Sequence, residues 1–198
     1  MKLNMGLKYI ICIVCITSTL TGCAAFSSGS GSNTVTDSEF VTIGSHLTVH
    51  NTDARLTLMS NMDALSADGL YYASWAAGSS EPYINFAGDT VDLYDAQLYL
   101  LLGEFKSSGA AQENMDNWLA AAHSNYDVTD EKIVACNEQS YTMVTYKFTN
   151  EENPYAHGTS AFGVYNNLAV CVELTCREGY QEDLNGILTD FLNNCTYN

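Results

Sequence analysis

The sequence predicts an α+β fold, an antiparallel β-sheet with two main helices, and three observations carry that reading. Apolar and polar residues alternate over many short segments, the pattern of strands with one covered face. Two segments, one near the middle of the chain and one at its end, switch to helical spacing. Runs of strands are grouped around these helices instead of alternating with them one by one, which favours antiparallel pairing with helices laid on the sheet.

Taken in order, Val41, Ile43, Leu47 and Val49 alternate with Thr42, Gly44, Thr48 and His50, and the turn chemistry of Asn51-Thr52-Asp53 precedes Leu56 and Leu58. The patterned chain therefore starts as a β-hairpin. Asn61 to Gly69 reads as a polar loop, Leu70 to Trp75 as a third strand from its aromatic content, and Gly78 to Gly88 as another loop. Val91, Tyr94, Leu98, Leu101 and Phe105 fit a helical stripe, yet Leu98 to Leu102 is an unbroken apolar run and Gly103 is a poor helix residue. A central strand from about Ala96 to Phe105, covered on both faces, is the better reading.

A helix follows from about Gly109 to His123, with Ala111, Met115, Trp118, Leu119 and Ala122 on one side and Ser108 as its cap. Lys132 to Cys136 and Tyr141 to Phe148 are strands joined by the Asn137 to Ser140 turn. Thr159 to Tyr165 and Leu168 to Cys176 form a hairpin around Asn166-Asn167, residues that tolerate the positive φ of a two-residue turn. Tyr180, Leu184, Ile187, Leu188, Phe191, Leu192 and Cys195 make the stripe of a last helix, with Glu182 and Asp183 at its positive end.

Ahead of these elements stands Leu20-Thr21-Gly22-Cys23. Lys2 and Lys8 precede a twelve-residue uncharged stretch, Tyr9 to Leu20, that is shorter than the roughly 20 residues a membrane-spanning helix needs. The arrangement resembles the lipobox of bacterial lipoprotein precursors. The resemblance implies cleavage before Cys23, a diacylglyceryl group on its thiol, and a protein held through that lipid on the extracytoplasmic side of the cell membrane. It divides the chain into a signal peptide (1–22), the lipidated Cys23 with a Ser/Gly-rich tether (23–40), and one α+β domain (41–198). The run Ser27-Ser28-Gly29-Ser30-Gly31-Ser32-Asn33 buries too little to order itself, and residues 24–39 have a root-mean-square span of roughly 20 to 25 Å.

The element order from about 45 to 198 is similar to the PsbP-like sandwich, the fold of an extrinsic photosystem subunit and of many small bacterial lipoproteins. That resemblance rests on pattern alone and implies a binding or assembly role more often than catalysis.

Charge excludes one class of partner. The formal charge is −16, and loss of Lys2 and Lys8 with the signal peptide takes it to −18, leaving Arg55, Lys106, Lys132, Lys147 and Arg177 scattered along the chain. Nucleic acid needs clustered cations and is not expected. Anionic lipid is repelled as well, so the lipid on Cys23 has to do the holding.

Motifs for chemistry are sparse. His46 and His50 lie four apart on what reads as a strand, where they are about 13 Å apart and cannot share a metal. His123 suits the negative end of its helix. Asp89, Asp92 and Asp95 lack the alternate spacing and closing Glu of a calcium loop. Gly158 to Gly163 misses the Gly-x-Ser-x-Gly elbow by one residue, and no phosphate-binding glycine motif occurs. No metal and no cofactor is expected.

Cys136, Cys171, Cys176 and Cys195 remain for the domain. Cys171 and Cys176 are too far apart along one strand to pair, and Cys176 and Cys195 bracket a helix. Either Cys171 pairs with Cys195 and Cys136 with Cys176, or all four are buried thiols. For binding, the loop Asn150 to His157, with Tyr155 and His157, is the first candidate, and Tyr71, Tyr72 and Trp75 with Tyr83 the second, because exposed aromatics give flat amphipathic contact. Two functions stay open: a non-catalytic binding or accessory module for an envelope protein or glycan, and a secreted hydrolase using carboxylates that the sequence does not single out.

Overall fold

The computed structural model describes residues 40–65, 69–85, 88–150 and 153–198. The signal peptide, Cys23 and all of the tether before Phe40 lie outside the described residues. The elements are β1 (Phe40–Ile43), β2 (Leu47–His50), β3 (Thr57–Leu65), β4 (Leu70–Ile84), β5 (Thr90–Glu104), α1 (Ser108–Asn125), β6 (Tyr126–Cys136), β7 (Gln139–Phe148), β8 (His157–Tyr165), β9 (Leu168–Cys176), α2 (Leu184–Asn193) and β10 (Cys195–Tyr197).

Seven strands form an antiparallel sheet in the order β3-β4-β5-β9-β8-β7-β6, and β1-β2-β10 form a second, smaller sheet. Helix α1 covers one face of the large sheet. Helix α2 and the small sheet share the other face in one apolar core with Val49, Trp75, Leu98, Val172, Leu188 and Phe191. The protein is thus an α+β sandwich. Strand β9 shows why both faces matter: Leu168, Val170, Val172, Leu174 and Cys176 enter the α2-side core, while Ala169 and Cys171 pack with Trp118 and Met115 of α1. All nine of its residues are buried, which is what an unbroken apolar strand achieves between two layers.

Several boundaries differ from the sequence reading. The first hairpin turns at Gly44 and Ser45, both at positive φ (53° and 60°), and pairs β1 with β2, so Val41 to His50 is two strands and not one. Residues 61–65 belong to β3, and β4 runs on through Gly78 to Ile84 with a register shift between Ala77 and Ser80. A bulge lets a strand carry glycine and polar residues that otherwise read as a loop. β5 is a strand throughout, over fifteen residues, and its helical-looking stripe is divided between two faces. The cap of α1 is Ser107, whose Oγ accepts from the Ala110 N–H at 3.2 Å. β6 begins at Tyr126 directly after α1, and β10 was not expected at all.

The proposed cysteine pairings are not those of the structure, where all four are buried free thiols. Cys171 lies in the α1-side core and Cys195 in the α2-side core, with the sheet between them. Cys136 and Cys176 share a face, but the registers Cys136↔Gln139, Tyr141↔Gly163 and Tyr165↔Leu168 set Cys136 near the Leu168 end of β9. Most of that strand, roughly 25 Å at about 3.3 Å per residue, separates it from Cys176.

Candidate functional site

Continuous with the core under α1, the same face of the large sheet turns polar while staying buried. Glu173, 4% exposed, is the only charged residue of β9. Its Oε1 accepts from the Tyr146 hydroxyl, from Tyr126 at 3.4 Å and from Ser160 at 3.4 Å. Tyr126 stacks on Tyr146 with centroids 4.1 Å apart, and Phe148 meets both rings edge-on. Burial pushes the Glu173 carboxyl up to about 7, and the three hydroxyl donors hold it from rising further. Burial, then the neighbouring Glu173, pushes the Tyr146 phenol up as well, so the phenol stays protonated. Room for that ring comes from Gly158, its cross-strand partner, where a Cβ would lie 2.5 Å from Tyr146 atoms.

One strand over, Gln97 organises a second group. Its Oε1 accepts from the Tyr99 hydroxyl and from the Tyr155 hydroxyl at 2.6 Å, and Tyr72 stacks on Tyr99 at 6.1 Å. Tyr155 is 3% exposed, and burial pushes its phenol above the ordinary value. Tyr72 and Tyr155, drawn from separate sequence candidates, therefore meet through Tyr99 and Gln97. Tyr71 and Trp75 do not join them. Successive strand residues point to opposite faces, so Tyr71 packs against His46 at 5.1 Å and Trp75 is fully buried against Phe191 at 4.9 Å. The expected strand patch of Tyr71, Tyr72 and Trp75 is thus not one surface.

At this end of the sheet the loops form an open cleft of about 350 Å³, lined by Asp95 and the segment Arg177 to Glu182. The register shift in β4, with Gly78 at φ 81°, sets Ser79 over Asp95, whose Oδ2 accepts from the Ser79 N–H at 2.7 Å and from its hydroxyl at 2.8 Å. The two Ser79 bonds, with the Arg177 charge adding to them, hold the Asp95 carboxyl below the usual range against the pull of burial. Arg177 pairs with Glu81 and lies 3.8 Å from Asp95. His157, the first residue of β8, has Nε2 3.2 Å from Glu178, one of the residues that line the cleft.

A second cleft of about 350 Å³ is lined by His50 to Asp53, Arg55, Asp190, Phe191, Asn193 and Asn194. Arg55 joins the two, bonding Asp53 through Nε and Nη2 and Glu182 through Nη1 at 2.9 Å. His46 lies in the first turn, 3.4 Å from Glu104, while His50 stacks on Phe40 at 4.3 Å. His123 lies in the last turn of α1, 2.6 Å from Glu131. Among the described residues no three His, Cys, Asp or Glu side chains are grouped to hold a metal, and no helix is long and apolar enough to cross a membrane.

The sequence reading missed Glu173, Gln97 and Arg177. A lone acid inside the apolar run Leu168 to Cys176 was the available signal for Glu173, because a charge in a strand covered on both faces must be partnered. Gln97 and Arg177 carry no such signal, since strands and loops both take polar residues freely.

No family model matches the chain, and no curated protein matches it. Among solved structures it is similar to a protein from Bacteroides thetaiotaomicron, 11% identical over 80% of this chain with a TM-score of 0.49, and it covers 47% of that protein, about half its length. It is similar to the cyanobacterial PsbP of Synechocystis, 11% identical over 74% of this chain and 94% of the other, with a TM-score of 0.39. It is similar also to the extracellular domain of PknH from Mycobacterium tuberculosis, 16% identical over 69% of this chain and 70% of the other, with a TM-score of 0.36. Identities of this size carry no functional residue across.

Proposed function

We propose that the protein is a non-catalytic binding or accessory module, held at the outer face of a membrane by the lipid on Cys23, that engages an envelope protein or glycan at the Arg177 to Glu182 cleft. The observation that supports this most is convergence: the 177–182 loop and Asp95 of β5 line one open cleft, and that loop reaches Glu81 of β4 through Arg177 and His157 of β8 through Glu178. Asp95, Glu178 and Glu182 outnumber Arg177 there, and that guanidinium is already matched by Glu81 and Asp95. Such a cleft repels anions and offers carboxylates, an amide and the Tyr180 ring to hydroxyl-rich or basic groups. A hydrolase would need, beside a second carboxylate at an accessible bond, an accessible acid whose value is raised. Glu173, with its raised value, is instead 4% exposed and occupied by three protein hydroxyls.

The test is cross-linking on living cells with the full chain and with Tyr180→Ala and Glu178→Ala. Capture of a protein or glycan by the wild type, reduced at least tenfold in the variants, supports the cleft. Equal capture by all three removes the cleft from the reading, and no capture removes the binding role.

A further inference from the structure

The two thiols that the fold brings together are Cys136 and Cys195. Cys136 closes β6 and Cys195 opens β10, some sixty residues apart in sequence, yet both lie in the α2-side core at 1% and 2% exposure. The segments that carry them are clamped to each other. The Asn137 N–H donates to Asn193 Oδ1 at 3.0 Å, and the Asn137 side-chain amide donates to the Cys195 carbonyl at 2.5 Å. The thiols also sense one another: burial pushes Cys195 up to about 12, and the nearby Cys136 adds to that rise. Tyr141 borders both, and its hydroxyl meets Tyr197 of β10 at 2.7 Å.

We propose that Cys136 and Cys195 are an oxidisable pair whose disulfide straps the C-terminal strand to the end of β6. In the step, one thiol is deprotonated and attacks a sulfur of a small-molecule disulfide, and the second thiolate then attacks the mixed disulfide. Two thiols lose two electrons and two protons, and the oxidant leaves as two thiols. Burial makes each folded thiol a poor nucleophile, so the bond forms while the chain is folding and is then shielded from reductant. Cys171 and Cys176 lie on opposite faces and take no part. The pairing depends on the extracytoplasmic reading only for where an oxidant is met in the cell, and an experiment in vitro separates the two.

The full chain is refolded with oxidised and reduced glutathione, alkylated and peptide-mapped, beside protein folded under reductant and oxidised afterwards. Refolding with glutathione should give a Cys136–Cys195 link as the main disulfide, and oxidation after folding should give it at least tenfold more slowly. The linked form should unfold on the order of 10 °C above its reduced form, and Cys136→Ser should lose that difference. A map in which the link is absent, or no more abundant than links from either residue to other cysteines, overturns the pairing.

Discussion

Glu173 concentrates the chemistry of one residue into a stability signal. Its folded value of about 7 lies above the 4.5 of the free group, so the folded chain holds the proton more tightly than the unfolded one. The stability this contributes is complete below about pH 4.5 and is lost as pH rises through about 7, a change on the order of 3 kcal/mol. Glu173→Gln should flatten that slope, and denaturant titrations at pH 5 and pH 8 measure it. If variant and wild type lose stability equally over this range, another group is responsible. Asp53 and Asp95, whose values are lowered by hydrogen bonds from Arg55 and Ser79, work the opposite way and matter only as pH falls below 3.8. Gly158 offers a steric counterpart. A Cβ there meets the Tyr146 ring, so Gly158→Ala should cost about 1 to 3 kcal/mol in chemical denaturation.

Elements were most legible where one pattern dominated. The β8–β9 hairpin turns at Asn166, at φ 53°, because the turn and both strands are encoded locally. The stripe of α2 likewise delivers Ile187, Leu188, Phe191 and Leu192 to the core. Phe191→Ala should cost about 3 to 5 kcal/mol, since it empties the space against Trp75. Boundaries read less well where backbone devices override composition, as in β4, where a bulge continues the strand through glycine and serine. The helix cap was misplaced by one residue, because two adjacent serines offer the same hydroxyl and only backbone geometry selects between them. Ser107→Ala should therefore destabilise by about 1 kcal/mol and Ser108→Ala by much less, as read from thermal or denaturant midpoints.

At the scale of the whole molecule, the sheet works as a partition. One face carries the α2 core with Cys136 and Cys195, and the other carries α1 and the tyrosine–glutamate group. Attachment adds a separate prediction. On the proposed lipid anchor, Cys23→Ser should move the protein from the membrane to the soluble fraction on cell fractionation, because each buried methylene of the acyl chains would contribute about 0.8 kcal/mol to holding it. A variant that stays with the membrane would end the lipid-anchor reading.

By itself the sequence determined the fold class, the central strands and the two helices, because periodicity is a property of neighbouring residues and survives translation into structure directly. Part of the candidate region was legible by residue type: Tyr72, Tyr155 and His157 stand out in the sequence as aromatic or titratable residues. Strand alternation, also a local property, already parts Tyr72 from Tyr71 and Trp75; only the tertiary structure decided what each face packs against, that Gln97 and Arg177 complete the site, and that Cys136 neighbours Cys195 and not Cys176. These are relations between strands far apart in sequence. They are set by register, twist and bulges, which no local pattern records.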